Sequence, residues 1–347
     1  MIPLLEIRFG DNLELLSEVP DASIDLVYID PPFNTGRTQA RTRKRMVQDD
    51  GGGHKGFGGR QYRHEAVSTM AYADTFDEFL EFLEPRLWEA HRVLTPTGSF
   101  FLHLDYREVH YAKVLCDQIF GRESFKNEII WAYDYGGRPK NRWPAKHDNI
   151  LWYARDPDNY TFRYDDIDRI PYMAPGLVTP DKAKRGKTPT DVWWQTIVPT
   201  NSKERTGYPT QKPLGIMRRI IAVHSNPGDT VLDFFAGSGT TGEAAAELGR
   251  NAILMDSNPE ALALMEKRLA RYGTTFANWP PAAPGSTQSP QVVLGPVPAR
   301  KPIPIGEWAH KRRPDAYEED NLVKPDEDAI EDFERSISGP DGDLDQP

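Results

Sequence analysis

The sequence predicts an α/β fold built on a doubly wound, mostly parallel sheet. From LEIRF (5–9) to NPEALALMEKRLARY (258–272), short β-rich runs alternate with stretches of helical periodicity. Strands interleaved with helices form a parallel sheet that has helices on both faces. Two of these strands run directly into short motifs, DPPF after SIDLVYI and AGSGTT after TVLDFF. Open α/β sheets bind their ligands at such strand ends.

Composition limits the classes of protein to consider. The 347 residues suit one elaborated domain with appendages. Cys116 is the only cysteine, which excludes an internal disulfide framework and a multi-cysteine zinc site. The N-terminus lacks the pattern of a signal peptide, and no apolar run reaches the about 18–20 residues that span a bilayer. We therefore expect a cytoplasmic protein with no membrane partner.

The net charge of −10 is concentrated near the C-terminus. Residues 314–347 hold 13 acidic residues against Lys324 and Arg335, so the preceding 313 residues are close to neutral. We expect residues 273–347, first proline-rich and then acidic, to form an extended or disordered tail. A tail that mimics nucleic acid and folds back over a basic groove is the alternative.

Residues 37–64 form a second unusual segment, with eight Arg or Lys residues and a cluster of glycines. A stretch of this length without apolar periodicity predicts a loop that is either functional or disordered.

The stretch GDTVLDFFAGSGTTGEAAAELG (228–249) predicts a strand, a loop of small residues and an alanine-rich helix. Backbone N–H groups and a helix N-terminus then meet at the loop, a geometry that holds an anionic ligand group. Gly237, Gly239 and Gly242 match G-x-G-x-x-G, and Asp256 ends the next strand near the position of a ribose-binding acid. A P-loop is excluded because no Gly-Lys-Ser/Thr follows. NAD(P), FAD, S-adenosylmethionine and a tight turn without ligand stay open at this point.

The strand SIDLVYI must end at Asp30, because Pro31 and Pro32 have no N–H group to donate to a sheet. The Asp30 carboxylate and a rigid neighbouring carbonyl can accept both hydrogens of an exocyclic amino group, and Phe33 offers a face for a planar base. This arrangement suits methyl transfer to an aromatic amine, whose nitrogen is a poor nucleophile until its geometry is fixed. A sulfonium methyl donor is already activated, so this chemistry needs no metal. The alternative is a DPP turn that only ends the strand.

Together these motifs resemble the amino-DNA methyltransferases of the permuted β class over most of residues 5–272. The family's D-P-P-F/Y catalytic motif matches Asp30, Pro31, Pro32 and Phe33. Its cofactor motif matches Asp233, Phe235, Gly237, Ser238, Gly239, Thr240 and Thr241. YPTQKP (208–213) is similar to the element whose Thr210 and Lys212 would hold the methionine end of the cofactor. By the same resemblance Asp11 would bind the adenine amino group of the cofactor, and Asp256 its ribose hydroxyls.

The resemblance implies a catalytic domain over residues 1–272 of the class I methyltransferase, Rossmann-like type. The catalytic motif precedes the cofactor motif, as in a circularly permuted chain, and the implied cofactor is S-adenosyl-L-methionine. The implied reaction is N6 methylation of adenine, because N4-cytosine enzymes more often start the catalytic motif with serine. The implied substrate is double-stranded DNA with its target base flipped out. A homodimer and a cognate restriction endonuclease are further expected partners.

The resemblance also implies an inserted target-recognition segment at about residues 134–207. Basic side chains there and in the 37–64 loop could contact DNA phosphates. The expected DNA-binding residues are Arg37, Arg41, Arg43, Lys44, Arg45, Arg138, Lys140 and Arg142.

Three alternatives remain. An N4-cytosine enzyme would use the same motifs. A dinucleotide-dependent oxidoreductase would use the same glycines but leaves the DPPF motif unexplained. A catalytically silent DNA-binding regulator is disfavoured because the motif residues are all present.

Overall fold

The computed structural model describes residues 3–33, 37–48, 54–55, 61–74, 79–199 and 201–277, with backbone only for the three ranges between 37 and 74. The strands are β1 Leu5–Phe9, β2 Ile24–Ile29, β3 Arg37–Gln48, β4 His54–Lys55, β5 Gln61–Asp74, β6 Leu94–Leu104, β7 Phe125–Ala132, β8 His147–Ala154, β9 Val192–Trp194, β10 Thr230–Asp233, β11 Asn251–Asp256 and β12 Thr274–Ala277. The α-helices are α1 Asn12–Leu16, α2 Phe79–Val93, α3 Val109–Phe120, α4 Pro180–Arg185, α5 Leu214–His224, α6 Thr240–Glu247 and α7 Pro259–Leu269.

Nine of the described strands form one sheet in the order β12-β1-β11-β10-β2-β6-β8-β7-β9. Neighbouring strands are parallel except at β6–β8 and β7–β8, so β8 alone runs against the others. The mostly parallel α/β sheet predicted from the sequence is therefore confirmed. Across the described ranges, no helix is long and apolar enough to cross a membrane.

Alternate residues of β2 pack into two hydrophobic cores, one on each face of the sheet. Leu26 and Tyr28 belong to the core that includes residues of α5, α6 and α7. Val27 and Ile29 belong to the core that includes residues of α1, α2 and α3. Successive side chains of a strand point to opposite faces, so a strand covered on both sides is apolar at nearly every position. Each fully buried aliphatic side chain of this kind contributes about 1.5–3 kcal/mol to stability.

The crevice that positions the site lies at the carboxyl ends of β2 and β10. These two strands are neighbours, with Val231 beside Leu26. After β10 the chain continues through α6 to β11 on one side, whereas after β2 it continues to α2 and β6 on the other. Because α6 and α2 cover opposite faces of the sheet, the two connections diverge and leave an opening between them. Ligands bind at such switch points in open α/β sheets.

Several of the described strands lie within or beside the predicted segments. Residues 274–277 form β12, which pairs with β1, so the sheet continues past the predicted domain end at residue 272. The 37–64 segment is not simply a loop, since β3 and β5 form an antiparallel pair. The sequence did not indicate these strands because basic residues alternate with β-compatible ones and leave no apolar face. The predicted recognition segment includes β8, which pairs with both β6 and β7 inside the main sheet. Residues 278–347, which hold most of the predicted tail, lie outside the described residues.

Candidate active site

The crevice between β2 and β10 holds a cavity of about 350 Å³, which falls within the usual size of small-molecule sites, roughly 300–1,000 Å³. Most of the predicted catalytic and cofactor residues line it: Asp11, Asp30, Pro32, Thr210, Lys212, Asp233, Phe235, Gly237, Ser238, Thr240, Thr241 and Asp256. Pro31, Phe33 and Gly239 lie beside these residues in the chain without lining the cavity. The acid-proline motif and the glycine motif therefore face one shared cavity.

Asp30 follows β2 directly, and its two carboxylate oxygens have different surroundings. Oδ2 accepts a hydrogen bond from Nζ of Lys212, 182 residues away in the chain. Oδ1 is buried and accepts no hydrogen bond from any residue that the structure describes. A buried acceptor without a donor is costly and therefore rare in native proteins. Asp30 lines the cavity, and Oδ1 is its acceptor without a protein donor among the described residues.

Gly237 and Gly239 shape the loop after β10. Their φ angles are +49° and +74°, in the left-handed region that favours glycine. Gly239 is the N-cap of α6, so the free N–H groups of that helix lie at the same loop. A Cβ atom on Gly237 would lie 3.0 Å from Cε1 of Tyr208, which shows how closely the YPTQKP segment packs on the loop.

Asp256 ends β11 and joins the glycine loop to the next helix. Its Oδ2 accepts the N–H of Gly237 at 2.8 Å, and its Oδ1 accepts the N–H of Asn258 at 2.8 Å. Burial raises the pKa of Asp256, although these backbone hydrogen bonds oppose the increase. The carboxylate lines the cavity at the position predicted for a ribose-binding acid.

Asp233, the last residue of β10, is buried, and both of its oxygens are engaged by the loop that follows. Thr241 Oγ1 donates to Oδ2 at 2.5 Å, and the N–H of Phe235 donates to Oδ1 at 3.0 Å. Burial raises the pKa of Asp233 to about 7, and the charges of Asp30 and Asp256 add to the increase. These contacts indicate that Asp233 holds the glycine loop in its conformation.

Sequence reasoning missed a buried arginine beside Asp11. Arg86 on α2 donates through Nε to Oδ1 of Asn12 at 2.6 Å, and its Nη2 lies 3.2 Å from Oδ2 of Asp11. Asn12 in turn donates to the carbonyl of Phe234 at 2.7 Å, which ties α1 to the glycine loop. The sequence feature that could have indicated this contact is a charged residue on the apolar face of α2, between Leu83 and Leu87.

A buried hydrogen-bonded chain next to Phe33 was also missed. The hydroxyl of Tyr28 lies 2.7 Å from Nδ1 of His103, and Nε2 of His103 lies 3.2 Å from Oδ2 of Asp148. The ring of His103 packs against Phe33, with ring centroids 5.8 Å apart. Burial raises the pKa of Asp148, but hydrogen bonds from His103 and Tyr133 and the charge of Lys212 leave it below its ordinary value. Polar residues inside the apolar strands β6 and β8 were the available signal.

The loop 133–146 connects β7 to β8 and carries three of the predicted DNA-binding residues, Arg138, Lys140 and Arg142, all exposed. Ala132 pairs with His147, and Leu104 with Asn149, so this loop leaves the sheet at the same edge as Asp30. Nζ of Lys146 donates to the carbonyls of Tyr135 and Gly136 and closes the loop on itself. The indole of Trp143 is 93% exposed.

The other predicted DNA-binding residues belong to β3. Only the backbone of that strand is described, so the side chains of Arg37, Arg41, Arg43, Lys44 and Arg45 lie outside the described part of the chain.

Comparison with solved structures shows the fold. The PvuII DNA methyltransferase, described as cytosine-N4-specific, matches with a TM-score of 0.52 and 17% identity over 77% of this chain and 87% of that one. The M1.HpyAVI–SAM complex matches with a TM-score of 0.50 and 22% identity over 77% of this chain and 99% of that one.

Comparison with curated sequences and family models identifies the family. The type II methyltransferase M.HpaI of Haemophilus parainfluenzae is 30% identical over 75% of this chain and 72% of its own length. The DNA adenine methyltransferase YhdJ of Escherichia coli strain K12 is 31% identical over 75% of this chain and 81% of its own length. The N6/N4 methyltransferase family model, described as DNA methylase, matches residues 24–267. The chain therefore belongs to the N6/N4 DNA methylase family.

Proposed function

We propose that this protein transfers a methyl group from S-adenosyl-L-methionine to the N6 amino group of an adenine flipped out of double-stranded DNA. The observation that carries the proposal is the unpartnered, buried Oδ1 atom of Asp30 in a cavity shared with the glycine loop. An acceptor at this point suits an exocyclic amino group, whose N–H must be oriented before its nitrogen can attack.

The residues of the cavity fit this cofactor. Asp256 offers carboxylate oxygens to a ribose, and Asp11 and Asn12 offer oxygen atoms to an adenine amino group. The N-terminus of α6 offers backbone N–H groups to a carboxylate. When bound, S-adenosylmethionine supplies a methyl group activated by its sulfonium.

The chain's own residues would then orient the acceptor nitrogen. Oδ1 of Asp30 accepts one amino hydrogen, and the rigid backbone of Pro31 and Pro32 offers a carbonyl for the other. These two contacts hold the amino group in a reactive geometry, and the Asp30 carboxylate can take up the proton that leaves the nitrogen. Phe33, held against His103, offers an aromatic face to the flipped base.

Double-stranded DNA is the proposed partner, and the 133–146 loop its proposed contact. Arg138, Lys140 and Arg142 can neutralise phosphates, and the exposed indole of Trp143 can stack on a base. The recognition segment that we propose lies within about residues 134–207 and comprises this loop and the stretches outside β8 and β9. A cognate endonuclease is a further proposal, since the relatives include type II methyltransferases. A homodimer is proposed from the resemblance of the motifs alone.

Adenine is proposed over cytosine on two grounds. The relative YhdJ is named as a DNA adenine methyltransferase, and the catalytic motif here starts with aspartate. N4 methylation of cytosine is the second candidate, favoured by the fold match to the cytosine-N4-specific PvuII enzyme.

Expression in a host that lacks DNA methylation, followed by direct sequencing of modified bases, tests the proposal. We expect N6-methyladenine at one short sequence motif. Detection of N4-methylcytosine instead would show that cytosine is the substrate base. Unmodified DNA from cells that contain folded protein would overturn the proposal.

A further inference from the structure

We propose that Lys212 is a positioning residue for Asp30, acting on the catalytic carboxylate rather than on the methionine end of the cofactor. This inference rests on the proposed methyl transfer.

The ion pair between Lys212 and Asp30 is largely buried. The side chains of the lysine and the aspartate are 10% and 15% exposed. Nζ of Lys212 donates to Oδ2 of Asp30 and also lies 4.8 Å from the centroid of the Phe33 ring. The ammonium group of Lys212 thus contacts both the carboxylate of Asp30 and the aromatic ring of Phe33 in the DPPF motif.

The backbone of Lys212 contacts the second motif. Its carbonyl accepts a hydrogen bond from Thr240 Oγ1 at 3.3 Å, at the start of α6. Lys212 therefore connects the catalytic motif on β2 with the cofactor loop on β10, and the Pro213 that follows it is the N-cap of α5. Because the backbone of Lys212 is fixed at α6, its ammonium group can fix the orientation of the Asp30 carboxylate.

The ion pair decides which oxygen of Asp30 meets a substrate. Because Oδ2 is occupied by Lys212, Oδ1 is left as the acceptor that faces no protein donor among the described residues. A carboxylate that could rotate freely would offer either oxygen and would fix the amino group less well. Lys212 also places a positive charge near the buried carboxylate of Asp148.

The experiment compares Lys212→Met, which keeps the chain length without the charge, with Lys212→Arg. Lys113→Met is the matched control, because Nζ of Lys113 also pairs with an aspartate, Asp117, and lies 4.0 Å from the ring centroid of Phe125. Lys113 does not line the cavity. With cofactor and DNA both saturating, we expect Lys212→Met to lower kcat about 100-fold. The Kd for S-adenosylmethionine should change by less than about threefold, Lys212→Arg should recover part of kcat, and Lys113→Met should leave kcat unchanged. A kcat within about threefold of wild type for Lys212→Met would overturn the proposal, whatever happens to cofactor affinity.

A second measurement does not depend on catalysis. Urea unfolding of the cofactor-free protein compares wild type, Lys212→Met, Asp30→Asn and the double variant. Removal of Lys212 alone leaves a buried charge unpaired, so the double variant should be more stable than Lys212→Met. If the losses in free energy of unfolding of the two single variants simply add in the double variant, the two side chains do not interact and the proposal is overturned. If the wild-type protein methylates no DNA, the proposed function fails while this cycle still reports on the pair.

Discussion

The N–H of Gly237 donates to Oδ2 of Asp256 at 2.8 Å, so the loop after β10 is held by the residue that ends β11. The same carboxylate lines the cavity and has a raised pKa because it is buried. Asp256 therefore supports the loop and also lines the cavity.

Replacement of Asp256 by alanine should weaken cofactor binding first. We expect the Kd for S-adenosylmethionine to rise about 10- to 100-fold, because hydrogen bonds to a charged group are worth about 1.5–3 kcal/mol. Isothermal titration with the purified variant measures this change. Asp229→Ala, at the opposite end of β10, is the control and should bind the cofactor as the wild type does. An unchanged Kd for Asp256→Ala would remove this residue from the cofactor site.

The stability of the protein should fall as the pH rises from about 4 to about 7, in part because of Asp233. Burial raises the pKa of Asp233 in the folded state from 3.8 to about 7, so the folded state binds the proton more tightly than the unfolded state does. The contribution of Asp233 to the free energy of unfolding is present at low pH and is lost as the pH rises through the folded-state pKa. Asp233→Asn removes it, so the variant should be more stable than wild type at pH 8 but not at pH 4. Urea unfolding at both pH values measures this; identical pH dependence of the two proteins would contradict the assignment.

Gly242, the third glycine of the G-x-G-x-x-G match, should be needed for packing. A Cβ atom at this position of α6 would lie 2.5 Å from Cδ1 of Leu254 in β11. Gly242→Ala should therefore destabilise the fold by about 1–3 kcal/mol. Gly137→Ala meets no atom within 4 Å and is the control. Chemical denaturation of both variants measures the free energy of unfolding. If Gly242→Ala is as stable as Gly137→Ala, the close contact between α6 and β11 does not require glycine.

The basic residues of the 133–146 loop should set the salt dependence of DNA binding. Replacing Arg138, Lys140 and Arg142 together with glutamine should lower the slope of log K against log salt by up to about 3, since each phosphate contact contributes about 0.9. Fluorescence anisotropy with labelled duplex DNA at several salt concentrations gives the slope. If the triple variant keeps the wild-type slope, the loop does not contact phosphates.

Local chemistry made the two main motifs of the site predictable. Asp30 had to end its strand because two prolines follow it, and Gly237 and Gly239 had to form a tight loop before a helix. The rule that parallel strands present their carboxyl ends at one edge then predicts a shared cavity.

Contacts between distant parts of the chain were not predictable in this way. Lys212 reaches Asp30 across 182 residues, and nothing in YPTQKP indicates which partner its ammonium group chooses. His103 and Asp148 come from two strands that pair antiparallel, and their meeting depends on that register. β12 was missed because four residues beside a proline-rich stretch carry too little periodicity to identify a strand.

Incubation of wild-type protein and Asp30→Ala with S-adenosylmethionine and unmethylated duplex DNA, followed by mass spectrometry of the nucleosides, tests the central claim most directly. The wild type should produce N6-methyldeoxyadenosine, whereas Asp30→Ala should produce none while it still binds the cofactor with nearly wild-type affinity. Equal methylation by the two proteins would contradict the role of the Asp30 carboxylate.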